Sequence, residues 1–280
     1  MRPAVPPYFD YLIDALRRGE GTHHVHLGHW DEAPPPVAAA DAAEFARAQA
    51  RLDGILLAMA GLADGQAVLD VGCGFGGTLA AANTAHRDMA MVGVNVDARQ
   101  LRICSGVAPQ HGNALRWQQA DACSLPFANA VFDRVLCIEA MFHFASRRRF
   151  FAEAARVLRP GGLLVASDIV LREPPTGRQV PAFSLQEALQ TGYGPWPDPW
   201  GRDADHAALA RAAGLHSDEI RDASAATAPS HRFTAPRDAD MTRDPGDPAR
   251  RAALALKWLH DEGLLRYLYL RCVKPHAEQS

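Results

Sequence analysis

The spacing of apolar residues changes along the chain, and the change divides it. Tyr8, Phe9, Leu12, Ile13 and Leu16 recur at helical intervals behind a proline-marked start, which predicts a short amphipathic helix over 8–18. A second, alanine-rich helix is predicted from about Ala38 to Met59, with Phe45, Leu52, Ile55, Leu56 and Met59 mostly on one face. From Ala67 onward, short apolar runs alternate with helical intervals. Strands are predicted at 67–71, 90–95, 115–119, 132–138, 163–169 and 264–273, and helices at 76–86, 98–108, 146–158, 204–214 and 248–262. Repeated alternation of this kind demands an α/β fold, a doubly wound parallel sheet with helices on both faces. Two stretches break the pattern. Residues 22–36 are dense in His, Gly and Pro, and 172–203 is a Pro/Gly-rich run carrying Trp196 and Trp200, expected to be an irregular lid or binding loop.

Composition narrows the function classes. With 280 residues, 48% of them hydrophobic, the chain can bury one large core. A net charge of -3 leaves no electrostatic footprint for a nucleic-acid backbone, and the triplet Arg147-Arg148-Arg149 reads as the solvated start of a helix. The five scattered cysteines form no C-x-x-C pair, which points to a reducing, cytoplasmic setting. No segment has the length of a membrane span or the apolar core of a signal peptide, so a soluble, unprocessed protein is expected. Composition decides neither monomer nor dimer and leaves a homodimer open.

The chemistry concentrates at VLDVGCGFGG, residues 68–77. An apolar strand ends in Asp70 and opens into Gly72, Gly74, Gly76 and Gly77, a turn that brings backbone N–H groups up to a ligand at a helix N-terminus. A carboxylate two residues before the first glycine would repel a dinucleotide's pyrophosphate, whereas the ammonium and sulfonium of S-adenosylmethionine (SAM) tolerate it. Asn95 closes the second strand where such folds place a ribose-accepting side chain, with Gln100 five residues on, and Asp121 after the third strand can accept from an adenine amino group.

These segments resemble class I SAM-dependent methyltransferases over nearly the whole chain. VLDVGCGFGG is similar to their first motif, ADACSLPFANAVFDRVLCIEAMFHF to the segment through their fourth strand, and RVLRPGGLLVASD to their fifth-strand motif. HLGHW, GVNVDARQL and EAMFHF resemble the small-molecule branch of sterol, tocopherol, mycolic-acid and natural-product methyltransferases. The resemblance implies a Rossmann-like, mostly parallel seven-stranded sheet. It also implies an N-terminal helical cap and SAM-covering flap over residues 1–60 and a SAM-binding domain over 61–280, with a lid insertion at about 172–203. It implies that Asp70, Gly72, Cys73 and Gly74 surround the methionyl part, Asn95, Val96 and Gln100 the ribose, and Asp121 and Ala122 the adenine, with Trp30 on the flap excluding water. Many relatives carry Asp or Glu where this chain has Asn95; an amide cannot clamp both ribose hydroxyls, so weight shifts to Gln100.

For the acceptor, His143 sits just past the fourth strand, where an open α/β sheet binds ligands, and is the first choice as general base. Glu139 is expected either to orient His143 or to meet the methionyl ammonium. His26, Asp168, Trp196 and Trp200 are candidates to line an apolar or aromatic acceptor pocket. His24, His26 and His29 suggest metal ligands, but a loop does not guarantee convergence and no metal is expected. The expected activity is methyl transfer from SAM, leaving S-adenosylhomocysteine (SAH), to a small hydrophobic metabolite, at oxygen before nitrogen or carbon. The alternatives are a SAM-fold protein with a non-methylating role and an NAD(P)-dependent oxidoreductase.

Overall fold

Val68 and Leu69, adjacent on the first strand, are both fully buried, one in each of two separate apolar cores. A strand buried on both faces is the signature of a parallel sheet covered by helices on both sides. The structure, a computed structural model, describes residues 5–32, 42–172, 183–197, 203–234 and 246–276. Its elements run α1 (Tyr8–Arg17), α2 (Ala42–Ala60), β1 (Ala67–Val71), α3 (Gly77–Ala85), β2 (Ala90–Asn95), α4 (Ala98–Cys104), β3 (Ala114–Gln119) and β4 (Phe132–Ile138). A 3-10 turn (Met141–His143) leads to α5 (Arg147–Val157), β5 (Leu158–Leu171), α6 (Leu185–Tyr193), α7 (Asp203–Ala212) and β6 (His216–Asp222). Short helices α8 (Ser224–Thr227) and α9 (His231–Thr234) precede α10 (Pro248–Asp261) and β7 (Leu265–Val273).

The seven strands form one sheet in the order β3-β2-β1-β4-β5-β7-β6. All neighbours are parallel except β7, which runs antiparallel to both β5 and β6. Leu52 and Leu56 of α2 and Leu79 of α3 pack with Val68, Met91 and Val165 on one side, while Phe150 and Phe151 of α5 pack with Leu69, Val71 and Val135 on the other. The chain leaves β1 toward β2 on one side and reaches β4 on the other, so a crevice opens beyond the carboxyl ends of β1 and β4.

Three expectations need correction. The 172–203 segment is not wholly irregular: Leu185–Tyr193 is helical, capped by Ser184, whose side chain accepts from the Glu187 N–H, and Ala188 and Leu189 are buried. The edge strand β6 has no apolar run to announce it. Its sequence HSDEIRD is half-exposed and charged, as an edge strand that resists further pairing must be. The fifth strand begins earlier than expected, at Leu158, because Leu158 pairs with Phe132 of β4 ahead of the RPGG turn, within which the Gly161 N–H donates to Lys274 O at 2.8 Å.

Candidate active site

A cavity of about 520 Å³ occupies this crevice. Its floor is the turn after β1. The Gly72 and Cys73 N–H groups both donate to Val94 O, at 2.9 and 3.1 Å, turning the chain sharply before α3. Gly72 and Gly74 hold φ of 80° and 53°, and a Cβ on either would lie 2.5 Å from Ala140 Cβ or 2.4 Å from Val25 Cγ2. Both the backbone conformation and the close approach of Ala140 to Gly72 and of the flap's Val25 to Gly74 therefore require glycine.

On one side, Asn95 Nδ2 donates to Gln100 Oε1 at 3.0 Å while its own Oδ1 accepts from the Asp97 N–H at 3.1 Å. Asn95 is thus largely satisfied within the protein. The buried Gln100 Nε2 has no hydrogen-bond partner and lines the cavity, so the open group is a donor on Gln100 rather than an acceptor on Asn95. Val96, Asp121 and Ala122 continue this wall, with Asp121 held by the Cys123 N–H at 2.8 Å.

Across the cavity, Glu139 follows β4 at a φ of 50°. Its Oε2 accepts from the Leu27 N–H at 2.8 Å and from Tyr267 Oη at 2.7 Å, and burial pushes its carboxyl up to about 7. It makes no bond to His143, which removes the orienting role. Tyr193 O takes that place: a carbonyl only accepts, so the His143 Nδ1 facing it carries the proton. Nε2 is therefore an acceptor, and Tyr8 Oη donates to it at 2.8 Å. Burial holds the His143 imidazole down at about 4, keeping it neutral near pH 7.

Tyr8 comes from α1, which lies over the cavity with Phe9 and Leu12 also lining it. An Arg99–Asp10 ion pair anchors α1 to the start of α4, where Arg99 also grips the N-cap Asp97. The amphipathic pattern of 8–18 located the helix; nothing local to it shows that its aromatic face closes a site.

Several expected site residues lie elsewhere. Cys73 points away from the cavity and packs with Leu101, Cys104 and Trp117. Asp70 is buried behind the loop, where burial and the neighbouring Asp53 push its carboxyl up to about 8. Trp30 stacks on Phe233 and donates to Ser230 Oγ at 3.0 Å, pinning the flap rather than touching a ligand. Asp168 is fully buried in ion pairs with Arg147 (2.7 Å) and His206 (2.8 Å). Burial alone would raise its carboxyl, but the Arg147 guanidinium and the hydrogen bond from His206 outweigh it and hold it below the ordinary range. Trp196 is likewise buried, against Phe142, so the acceptor-side wall comes instead from Gln190, Thr191, Gly194 and Pro195. Trp200 lies outside the described residues.

His26 is also turned away from the cavity. With His24 it meets Asp53 of α2, at 3.2 and 2.8 Å, while His29 is drawn off to Tyr269 Oη. Burial opposes charge on His26, but Asp53 overcomes it and raises the imidazole to about 9.

The doubly wound, mostly parallel sheet is Rossmann-like, and it brings a glycine turn, a polar wall beyond β2 and β3, and an acid and a histidine beyond β4 to one crevice. Residues 69–166 match the family described as "Methyltransferase domain". Among curated proteins, the chain is 33% identical to 27-O-demethylrifamycin SV methyltransferase of Amycolatopsis mediterranei, covering 64% of this chain and 62% of that one. It spans 54–62% of the length of three curated relatives that it matches, this one among them. The fold is similar to the [4+2]-cyclase SpnF, with a TM-score of 0.70, 20% identity and coverage of 98% of both chains. It is also similar to a geranyl diphosphate methyltransferase solved in complex with SAM, with a TM-score of 0.69, 19% identity and coverage of 91% and 100%. Among the described residues, no helix is long and apolar enough to cross a membrane.

Proposed function

We propose that this chain transfers a methyl group from SAM to a hydroxyl of a small, largely apolar metabolite. The observation that carries the reading is one cavity holding the unpartnered Gln100 Nε2, the acids Asp121 and Glu139, and a neutral His143. Residues 1–60 serve as cap and flap, and 61–280 as the domain that holds the cofactor. Gln100 Nε2 suits a ribose oxygen, Asp121 an adenine amino group, and Glu139 the methionyl ammonium, each by donor–acceptor complement. When bound, SAM supplies a methyl group already activated by its sulfonium.

The protein's own contribution is placement and one proton. Tyr8, Phe9, Leu12 and Phe144 give the acceptor an apolar, water-excluding bed, and as the oxygen attacks, its proton passes to Tyr8 Oη, which gives its own proton to His143 Nε2. The Tyr193 carbonyl, bonded to the opposite ring nitrogen, steadies the imidazolium that forms. All five cysteines are free and buried, which supports a reducing, cytoplasmic setting.

The test is a thermal shift with SAM, SAH and NAD, followed by an assay of SAH release with a panel of hydroxylated apolar acceptors. Stabilisation by SAM and SAH but not NAD, with acceptor-dependent SAH release, is expected; no stabilisation by either would reject the reading. A second reading, a non-methylating reaction on the same fold, is favoured by the nearly complete overlap with a cyclase. Consumption of a polyene acceptor without SAH release would select it.

A further inference from the structure

We propose that His24, His26 and Asp53 form a binding site for a divalent transition metal of the zinc class, fastening the flap to α2. Their ligand atoms lie within 4.8 Å of one another, although the residues come from a loop and a helix. Loop residues rarely converge without a reason, and here the reason is tertiary: Gln49 of α2 donates to both His24 O and His26 O, at 3.0 and 2.8 Å, fixing the flap backbone over Asp53.

The facing atoms are close but not hydrogen-bonded in direction. His24 Nδ1, His26 Nε2 and Asp53 Oδ2 are all buried and all lack a hydrogen-bond partner of good geometry. His26 and Asp53 side chains are 5% and 1% exposed. Two imidazole nitrogens and a carboxylate oxygen gathered within 4.8 Å of one another, none with a well-directed partner, are a donor set that one ion would take.

The surrounding bonds are those that orient metal ligands. His26 Nδ1 donates to Leu27 O at 2.7 Å, which fixes the ring with Nε2 turned toward the carboxylate. Asp53 Oδ1 accepts from Thr78 Oγ1 at 3.0 Å, which orients the carboxylate from α3. Residue 77 is glycine where a Cβ would stand 2.7 Å from His24 Nδ1. Two imidazoles and one carboxylate suit Zn(II), Co(II) or Ni(II) far better than Mg(II) or Ca(II). His24 is 18% exposed and provides the way in.

The test is independent of methyl transfer. Untagged full-length protein, stripped with chelator and dialysed, is titrated with Co(II) and read by visible d–d absorption, with Zn(II) as competitor. About one equivalent per chain with a tetrahedral band, displaced by Zn(II), is expected. The band is expected to vanish in His24→Gln, which changes a half-buried residue, and in Asp53→Asn, and to persist in His29→Gln. Absence of a band and of bound metal in wild-type protein shown folded by circular dichroism would overturn the proposal. So would His24→Gln binding Co(II) as tightly as wild type. Either result would leave a proton on His26 as the positive partner of Asp53.

Discussion

Tyr8 Oη lies 2.8 Å from His143 Nε2, joining the first helix to the turn after β4 across 135 residues of sequence. The rings stack at 5.3 Å, with Tyr193 edge-on to Tyr8 at 4.9 Å, so an aromatic cluster surrounds the atom assigned to proton transfer. The hydroxyl closes the cavity side of His143 just as the Tyr193 carbonyl closes the other.

Replacing His143 with Ala is expected to lower kcat by roughly 10²–10⁴-fold while leaving SAM affinity near wild type, since its proposed role is to take the acceptor's proton and not to hold the cofactor. Tyr8→Phe keeps the ring and loses the hydrogen bond; a smaller fall in kcat, on the order of tenfold, is expected. Rates of SAH release at saturating SAM, with SAM titrations alongside, check both. Unchanged turnover in His143→Ala would remove the base assignment.

The depressed His143 also predicts a stability profile. Its imidazole titrates at about 4 in the folded chain against 6.5 ordinarily, so between those values the unfolded chain binds a proton that the folded chain does not. Its contribution is therefore present above about pH 6.5 and lost as pH falls toward 4. Urea titrations across that window should show a shallower decline in His143→Gln than in wild type.

Glu139 gives a binding signature. Burial lifts its carboxyl to about 7, and an ammonium group beside it would pull it back down, so binding SAM expels a proton near neutrality. Affinity is expected to rise with pH through about 7, by at most about tenfold per unit. Calorimetry in two buffers of different ionisation enthalpy measures the released proton, and Glu139→Gln should abolish both the release and the slope.

Gly74→Ala should weaken SAM binding because the new methyl meets Val25 of the flap at 2.4 Å in a positive-φ conformation. The double variant Gly74→Ala/Val25→Ala removes the clash but not the backbone strain. Partial recovery of affinity is expected, measured by thermal shift with SAH.

Asp168→Ala removes the buried carboxylate that both Arg147 and His206 meet. A loss of about 3–5 kcal/mol in unfolding free energy is expected, without direct loss of a cofactor contact. Chemical denaturation, with SAH affinity measured at low temperature, separates stability from binding. A selective loss of acceptor turnover at unchanged stability would return Asp168 to the acceptor site.

What the sequence determined by itself was the part whose chemistry is local. Apolar runs marked β1, β2, β4, β5 and β7, because each buried strand carries its own hydrophobic signal whatever it pairs with, while the more exposed β3 showed only Leu115 and Trp117 alternating with polar residues. The glycine turn was legible because φ of 80° at Gly72 and 53° at Gly74 restricts the residue type at those positions. Asn95, Gln100, Asp121, Glu139 and His143 were legible because strand ends in a doubly wound sheet share one edge. Only the tertiary structure decided what depends on contacts between distant segments. Asp168 and Trp196 carry site-like chemistry in sequence, but an arginine, a histidine and a phenylalanine from other elements absorb them into the interior. Tyr8 entered the site because α1 folds back over it, and Asp53 joined the flap histidines because α2 passes beneath them. Neither residue carries a local mark of its role, since a helix pattern shows that one face is covered but not what covers it.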